Sequence, residues 1–302
     1  MKIEYGVQID PDQIHSQDID IFIFAGNHEK RVYTSYDFVI KNNYIRHSIM
    51  FCYSIFKCRK QYKNVEMSII SEYTDIFLVL DKYFDSFLKS DARIFVDYSC
   101  MTKSWYYSII LYLSNKQCNI ERMTVYFSYT PSKFSTPQPP KYNSEIAPLP
   151  GKYVVPTDKP KALIVCLGYE QNKAEGIIHH LDPKIYYIFY TKPALDEKFV
   201  SVLEHNNDYI LNNSPNVTTF KFDDLLFLER ELTSLYFSLR DDYSIVIAPL
   251  GPKPFAFVSM LLSVKYPDID IWRVGSGSDI NIYSREPINN SCFIISEMVW
   301  TR

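Results

Sequence analysis

Two stretches of this chain follow one pattern, and that repetition restricts its possible folds more than any other feature. Residues 243–265 read Tyr-Ser-Ile-Val-Ile-Ala-Pro-Leu-Gly-Pro-Lys-Pro-Phe-Ala-Phe-Val-Ser-Met-Leu-Leu-Ser-Val-Lys. Ser244 to Ala248 is a short β-branched apolar run without polar alternation, as in a strand of a parallel sheet covered on both faces. Pro249 to Pro254 break the chain, and Pro254 suits the first turn of a helix, where its missing N–H needs no partner. Phe255 to Lys265 is apolar on nearly every side, so this helix is expected to be buried. Residues 93–113 repeat the order of strand, turn, lysine, aromatic and apolar helix; aligned without gaps, Lys103 falls on Lys253, Val96 on Val246, Trp105 on Phe255 and Leu111 on Leu261. Asp20 to Gly26 and Ala162 to Gly168 form a second pair, each an apolar strand closing on glycine, with Glu29 and Glu170 shortly after. Both pairs occur in the same order at nearly the same separation, which reads as an internal duplication; a period this long means two domains, not a solenoid.

The chain of 302 residues, 47% hydrophobic, is long enough for two cores. Residues 1–18 are polar and read as an irregular lead-in. Ile19 to Ala25 is the first strand, followed by a polar loop and a helix from Val32 to Ile40. Further helices are expected over Ile45 to Cys58 and Tyr73 to Lys89, around a strand at Val65 to Ile69. Strands Phe95 to Tyr98 and Met123 to Phe127 flank the helix of Trp105 to Leu113. The second half runs strand Ala162 to Leu167, helix Gln171 to His180, strand Ile185 to Tyr190 and helix Asp196 to Asn206. It continues through strand Val217 to Phe220, helix Asp224 to Leu239, the opening stretch, and strand Ile269 to Val274. The tail Phe293 to Trp300 reads as a last edge strand. Alternating strands and helices define an α/β chain, here two tandem Rossmann-like doubly wound, mainly parallel sheets related by duplication. Eight of the 17 prolines lie between Pro131 and Pro160. This linker places the domain boundary near Lys152, giving domains 1–151 and 152–302.

The formal charge of −3 argues against general nucleic-acid binding, which needs a basic surface. The six cysteines have no paired spacing and read as reduced core residues. The N-terminus lacks an apolar signal core and no run approaches membrane-spanning length, so a cytoplasmic protein is expected. His179 and His180 with Asp182 do not make a metal site, because adjacent helical side chains point about 100° apart. No motif names a cofactor.

In open α/β sheets ligands lie beyond the carboxyl ends of the strands, where strand order reverses. The residues expected there are Gly26, Asn27, His28 and Glu29, then Asp97, Ser99, Thr102 and Lys103, with Tyr129 and Thr130. In the second half they are Gly168, Tyr169 and Glu170, then Gly251, Pro252 and Lys253, then Gly275 and Ser276. A tight turn with a lysine at a helix N-terminus gathers N–H groups and positive charge that suit an anion. The glycines also serve tight turns, Ser99 reads as a turn-former or helix cap, and Trp105 and Phe255 as core.

On Gly168-Tyr169-Glu170 and Gly251-Pro252-Lys253, and more loosely on Gly26-Asn27-His28-Glu29 and Met101-Thr102-Lys103, the chain resembles the CARF-like Rossmannoid sensor domains of prokaryotic defence systems. The resemblance covers most of both halves in topology. It implies a nucleotide-like ligand, such as a cyclic oligonucleotide, cradled by these turns. No effector nuclease or helix-turn-helix follows the second unit, so a protein partner is expected to supply the output; self-association is compatible with this reading. Glu29 and Glu170 bring negative charge into the same turns. Two other readings stand beside this one. Glu29, Asp97 and His28 meet at one strand edge and suit a nucleotide- or nucleoside-processing hydrolase, or the chain is a non-catalytic interaction subunit. On the gap-free alignment Ile247 replaces Asp97 while Lys253 is kept, which favours binding over acid chemistry as the property common to both halves.

Overall fold

The computed structural model describes residues 1–53, 64–86, 90–116, 119–137, 139, 142–275 and 284–302. In chain order the elements begin with β1 (Lys2–Ile9), β2 (Asp18–Gly26), α1 (Thr34–Asn42), β3 (Tyr44–Cys52), β4 (Val65–Ile69), α2 (Tyr73–Ser86), β5 (Asp91–Asp97), α3 (Lys103–Asn115) and β6 (Arg122–Tyr129). They continue with β7 (Glu145–Pro148), β8 (Lys161–Cys166), α4 (Lys173–Leu181), β9 (Ile185–Thr191), α5 (Glu197–Asn206), α6 (Asp208–Asn213), β10 (Val217–Phe220) and α7 (Leu225–Leu239). The last are β11 (Ser244–Pro249), α8 (Lys253–Lys265), β12 (Asp270–Gly275) and β13 (Ile294–Thr301). Two compact units result: unit 1 comprises Met1–Lys133 and Tyr283–Arg302, and unit 2 comprises Phe134–Ile282.

Among the described residues, unit 1 holds a seven-stranded sheet in the order β1-β13-β6-β5-β2-β3-β4, and unit 2 a six-stranded sheet in the order β10-β9-β8-β11-β12-β7. Five strands of each are parallel, β6-β5-β2-β3-β4 and β12-β11-β8-β9-β10. These orders coincide strand for strand. Both units are therefore Rossmann-like, with the reversal of strand order between β2 and β5 in one and between β8 and β11 in the other. Each parallel set ends on an antiparallel neighbour, β13 beside β6 and β7 beside β12.

The helices follow from their spacing. In α7 the buried residues Leu225, Leu228, Leu232, Tyr236 and Leu239 fall on one stripe, and Asp224 caps the start by accepting from Phe227 N–H. In α8 burial continues from Pro254 through Met260, consistent with its apolar sequence. Each fully buried Phe or Met there contributes about 1.5–3 kcal/mol.

Four local expectations are corrected. The helix expected over residues 45–58 is strand β3 as far as Cys52, and its residues 54–58 lie outside the described residues. Periodicity does not separate a short buried strand from a helix segment, and here pairing with β2 and β4 decides. The lead-in 1–18 contains β1, whose alternating Ile3, Tyr5, Val7 and Ile9 form an edge strand largely exposed on both faces. The tail is not an edge strand of the second sheet: β13 lies between β1 and β6 in the first, with Val299 and Trp300 fully buried. The boundary near Lys152 is also displaced, because β7 pairs with β12 and Lys152 Nζ donates to the carbonyls of Ser263 and Ile269 at 2.7 and 2.6 Å. From Phe134 onward the proline-rich segment thus belongs to unit 2, and unit 1 is completed by the C-terminal strand.

A chain ending at Asn289 lacks β13, leaving β1 without its partner and β6 with a bare edge. It should lose amide protection in β2 and β5 and keep it in β8 and β11, as read by hydrogen exchange. Lys152 gives a second test. Burial pushes its amine down to about 8, with Asp270 and Asp268 opposing the shift. Because the unfolded lysine keeps its usual value of 10.5, the unfolded chain binds the extra proton between those values, and stability from this residue rises with pH across that window. The unfolding free energy of the wild type minus that of Lys152→Met should therefore increase from about pH 7.5 to 10; a flat difference would refute the assignment.

Candidate functional site

The carboxyl ends of β2, β5 and β6 in unit 1 are joined by one side chain. Arg31 has no exposed side-chain surface, and its Nε donates to Glu29 Oε2 at 2.6 Å. Its Nη1 donates to the carbonyl of Thr130 at 2.8 Å and its Nη2 to that of Ser99 at 2.9 Å. The guanidinium also sits 5.6 Å from the centre of the Tyr129 ring. A buried cation is tolerated only when its charge and its donors are answered in this way. Burial alone would lower its pKa, yet Tyr129, Cys100 and Glu29 together hold it above the usual arginine value.

Glu29 is itself fixed. Its backbone N–H donates to Asn27 Oδ1 at 2.8 Å, and Asn27 Nδ2 donates to its Oε1 at 3.3 Å. Asp97 is buried beside this clamp. Its Oδ1 accepts from the backbone N–H of Ser99 at 2.8 Å and from the Ser99 hydroxyl, and its Oδ2 accepts from the Ser35 hydroxyl. Burial raises the Asp97 pKa, opposed by the bonds from Ser35 and Ser99 and by the charge of Arg31. Ser99 Oγ also accepts from the N–H of Thr130 at 2.7 Å. Ser99 is thus the expected turn-former, tying the end of β5 to the end of β6. His28 is half-buried in the β2 exit loop. At the end of β3, Tyr53 stacks on Trp105 with ring centres 3.9 Å apart and donates to the carbonyl of Cys100 at 2.9 Å.

Unit 2 closes the same junction differently. A Cβ on Gly168 would lie 2.7 Å from the Leu250 carbonyl oxygen, and one on Gly251 would lie 2.6 Å from that of Leu167. The glycines let the exit loops of β8 and β11 touch; close approach is what requires them at both positions. Asn207, 4% exposed, donates to the Gly168 carbonyl at 3.1 Å, and Asn206 donates to that of Tyr169 at 2.7 Å. The Tyr169 ring packs against Phe199. Glu170 pairs with Lys173.

Lys103 and Lys253 are each the first residue of a 13-residue helix, after Thr102 and Pro252 in extended backbone. Both lysines are half-buried. The gap-free alignment holds along these helices but not through the turns: Asp97 pairs with Phe24, two residues before Gly26, and Pro249 pairs with Cys166, two residues before Gly168. The counterpart of Asp97 is therefore Pro249, not Ile247, and the β5–α3 turn is longer by two residues. Neither residue is a carboxylate, so the contrast between the halves stands.

Strand order thus brings Gly26, Asn27, His28 and Glu29 beside Ser99, Thr102 and Lys103, and Gly168, Tyr169 and Glu170 beside Gly251, Pro252 and Lys253. Ser276 lies outside the described residues. Arg31 and Ser35 were missed by sequence reasoning, while Thr130 was expected at this edge but not as an acceptor for Arg31. Arg31 had one visible signal, a charge placed between an apolar strand and its helix. Ser35 carried none. Among the described residues no group of three His, Cys, Asp or Glu is placed to hold a metal ion, and no helix is long and apolar enough to cross a membrane. The fold and the junction define a tandem Rossmann-like α/β protein. No protein-family model matches the chain, and no curated protein matches it.

Replacing Arg31 by Ala removes the buried ion pair with Glu29 and the bonds to the Ser99 and Thr130 carbonyls, which should cost about 3–5 kcal/mol. Arg31→Lys should recover only part, because an ammonium cannot supply the fork. Urea unfolding followed by Trp105 and Trp300, both in unit 1, measures this; a loss under about 1 kcal/mol, the range of an exposed pair, would show that the clamp is dispensable.

Proposed function

We propose that the chain binds a phosphate-bearing nucleotide at the carboxyl edges of its two sheets, with Lys103 and Lys253 as the phosphate contacts. The observation that carries this reading is their shared position. Each begins a 13-residue helix that follows the strand at the reversal of strand order, where N–H groups and the helix dipole favour an anion. The negative charges in the neighbouring turns do not oppose it, since Glu29 is paired with Arg31 and Glu170 with Lys173. Acid–base chemistry at Asp97 has less support, because both its oxygens already accept hydrogen bonds from Ser35 and Ser99.

The resemblance to CARF-like domains extends the proposal to a second-messenger sensor of antiviral defence acting through a protein partner. Binding would act by differential affinity for two states of the chain. Calorimetry against a panel of mononucleotides, dinucleotides and cyclic oligonucleotides tests the reading. Lys103→Ala and Lys253→Ala should each weaken the ligand found by roughly 10- to 100-fold, the worth of one charged hydrogen bond. Binding unaltered in both variants would remove the lysines from the site, and turnover that depends on Glu29 or Asp97 would replace sensing with hydrolysis.

A further inference from the structure

Unit 1 carries a cationic pair that its own chain fills. Lys30, in the β2 exit loop, and Lys133, beyond the end of β6, both reach the carboxylate of Glu286: Lys30 Nζ bonds Oε1, and Lys133 Nζ lies 3.3 Å from Oε2. The backbone around Glu286 is held in place as well. Lys30 N–H donates to the Arg285 carbonyl at 3.2 Å, Lys133 N–H to that of Glu286 at 2.9 Å, and Ile288 N–H to that of Pro131 at 3.0 Å. An antiparallel bridge joins Ser132 and Pro287.

Strand order gives this segment its meaning. β5 lies between β2 and β6, so a segment bonded to the exit loops of both spans the strand that leads to Lys103. Neighbouring strands are about 4.8 Å apart, and the roughly 10 Å between β2 and β6 is the reach of three extended residues. Residues 284–288 suffice to cover it.

We propose that residues 284–288 are a strap over the ligand edge of unit 1 and that Lys30 and Lys133 form a phosphate subsite, which the Glu286 carboxylate occupies until a phosphate displaces it. Two ammonium groups share one carboxylate, so a phosphate dianion matches the pair better than the strap does. All three side chains are partly exposed, and exposed ion pairs are individually weak; an internal anion held this way is displaceable. The two lysines hold the Glu286 carboxyl below the usual carboxylate range, as they would any anion between them. Residues 131–133 and 284–288 are also where the chain leaves unit 1 for unit 2 and returns. Exchange at the pair therefore acts on both connections.

This inference rests on the reading of the carboxyl edge as the ligand edge, and inorganic pyrophosphate separates the two. It is titrated by calorimetry at low salt into the full chain as wild type, Glu286→Gln, the double variant Lys30→Ala/Lys133→Ala, and Lys103→Ala. Removing the competing carboxylate should tighten binding about 10-fold or more, a step of about 1.4 kcal/mol, and the double variant should lose it. Hydrogen exchange of the Lys30, Lys133 and Ile288 amides should quicken when pyrophosphate is added to the wild type. Binding that needs Lys103 but is indifferent to Glu286, Lys30 and Lys133 overturns the strap and keeps the proposed function. Binding that tightens in Glu286→Gln and ignores Lys103 supports the strap and removes that lysine from the site. Absence of pyrophosphate binding in every form overturns both.

Discussion

A guanidinium with no exposed surface must find a partner for each donor inside the protein, and in unit 1 Arg31 finds them on three different strands' exits. The exits of β2, β5 and β6 are arranged around this demand. Glu29 supplies the counter-charge, Ser99 and Thr130 supply carbonyls, and Asn27 holds Glu29 in place. Water would answer the same charge at lower structural cost. Its exclusion commits three loops to one geometry, because moving any of them would leave a buried charge or a buried carbonyl unpaired. Asp97 extends the same logic one step further, since its bonds to Ser35 and Ser99 fix the turn that presents a carbonyl to Arg31.

Unit 2 has the same strand order and meets the same topological requirement without an ion pair. There the exit loops of β8 and β11 lie in direct contact because Gly168 and Gly251 carry no side chain, and two asparagines donate to the part-buried carbonyls of the first loop. One junction is held by charge and the other by close approach. What the two share is the feature that follows the second strand of each junction, a lysine opening a long helix. Shared function is best sought in what both solutions preserve, and Asp97 is not part of it, since Pro249 stands at its position in unit 2.

Electrostatic bookkeeping at these edges changes once side chains are placed. Glu29 and Glu170, read as isolated charges, would repel a phosphate; paired with Arg31 and Lys173 they present little net charge to it. The cations that stay at the rim of unit 1 include Lys30 and Lys133, held by a carboxylate that lies 256 and 153 residues from them in sequence. Their arrangement turns a surface ion pair into an occupied anion position, because the segment carrying Glu286 spans the strands on either side of β5.

The sequence by itself determined the class of fold, the pairing of its two halves, and the apolar helices that follow Lys103 and Lys253, because these depend on local composition: apolar runs too uniform to face water, and turns built from glycine and proline. It also set the exit-loop residues at the reversal of strand order, since topology carries them there once the alternation of strands and helices is read. Tertiary structure alone decided what lies beside them. Nothing local marks β13 as belonging to the first sheet, since an apolar strand of eight residues suits either; pairing with β1 and β6 settled it. The roles of Arg31, Ser35 and Thr130 were likewise invisible, because a buried polar group is defined by partners distant in sequence and by the water that packing removes.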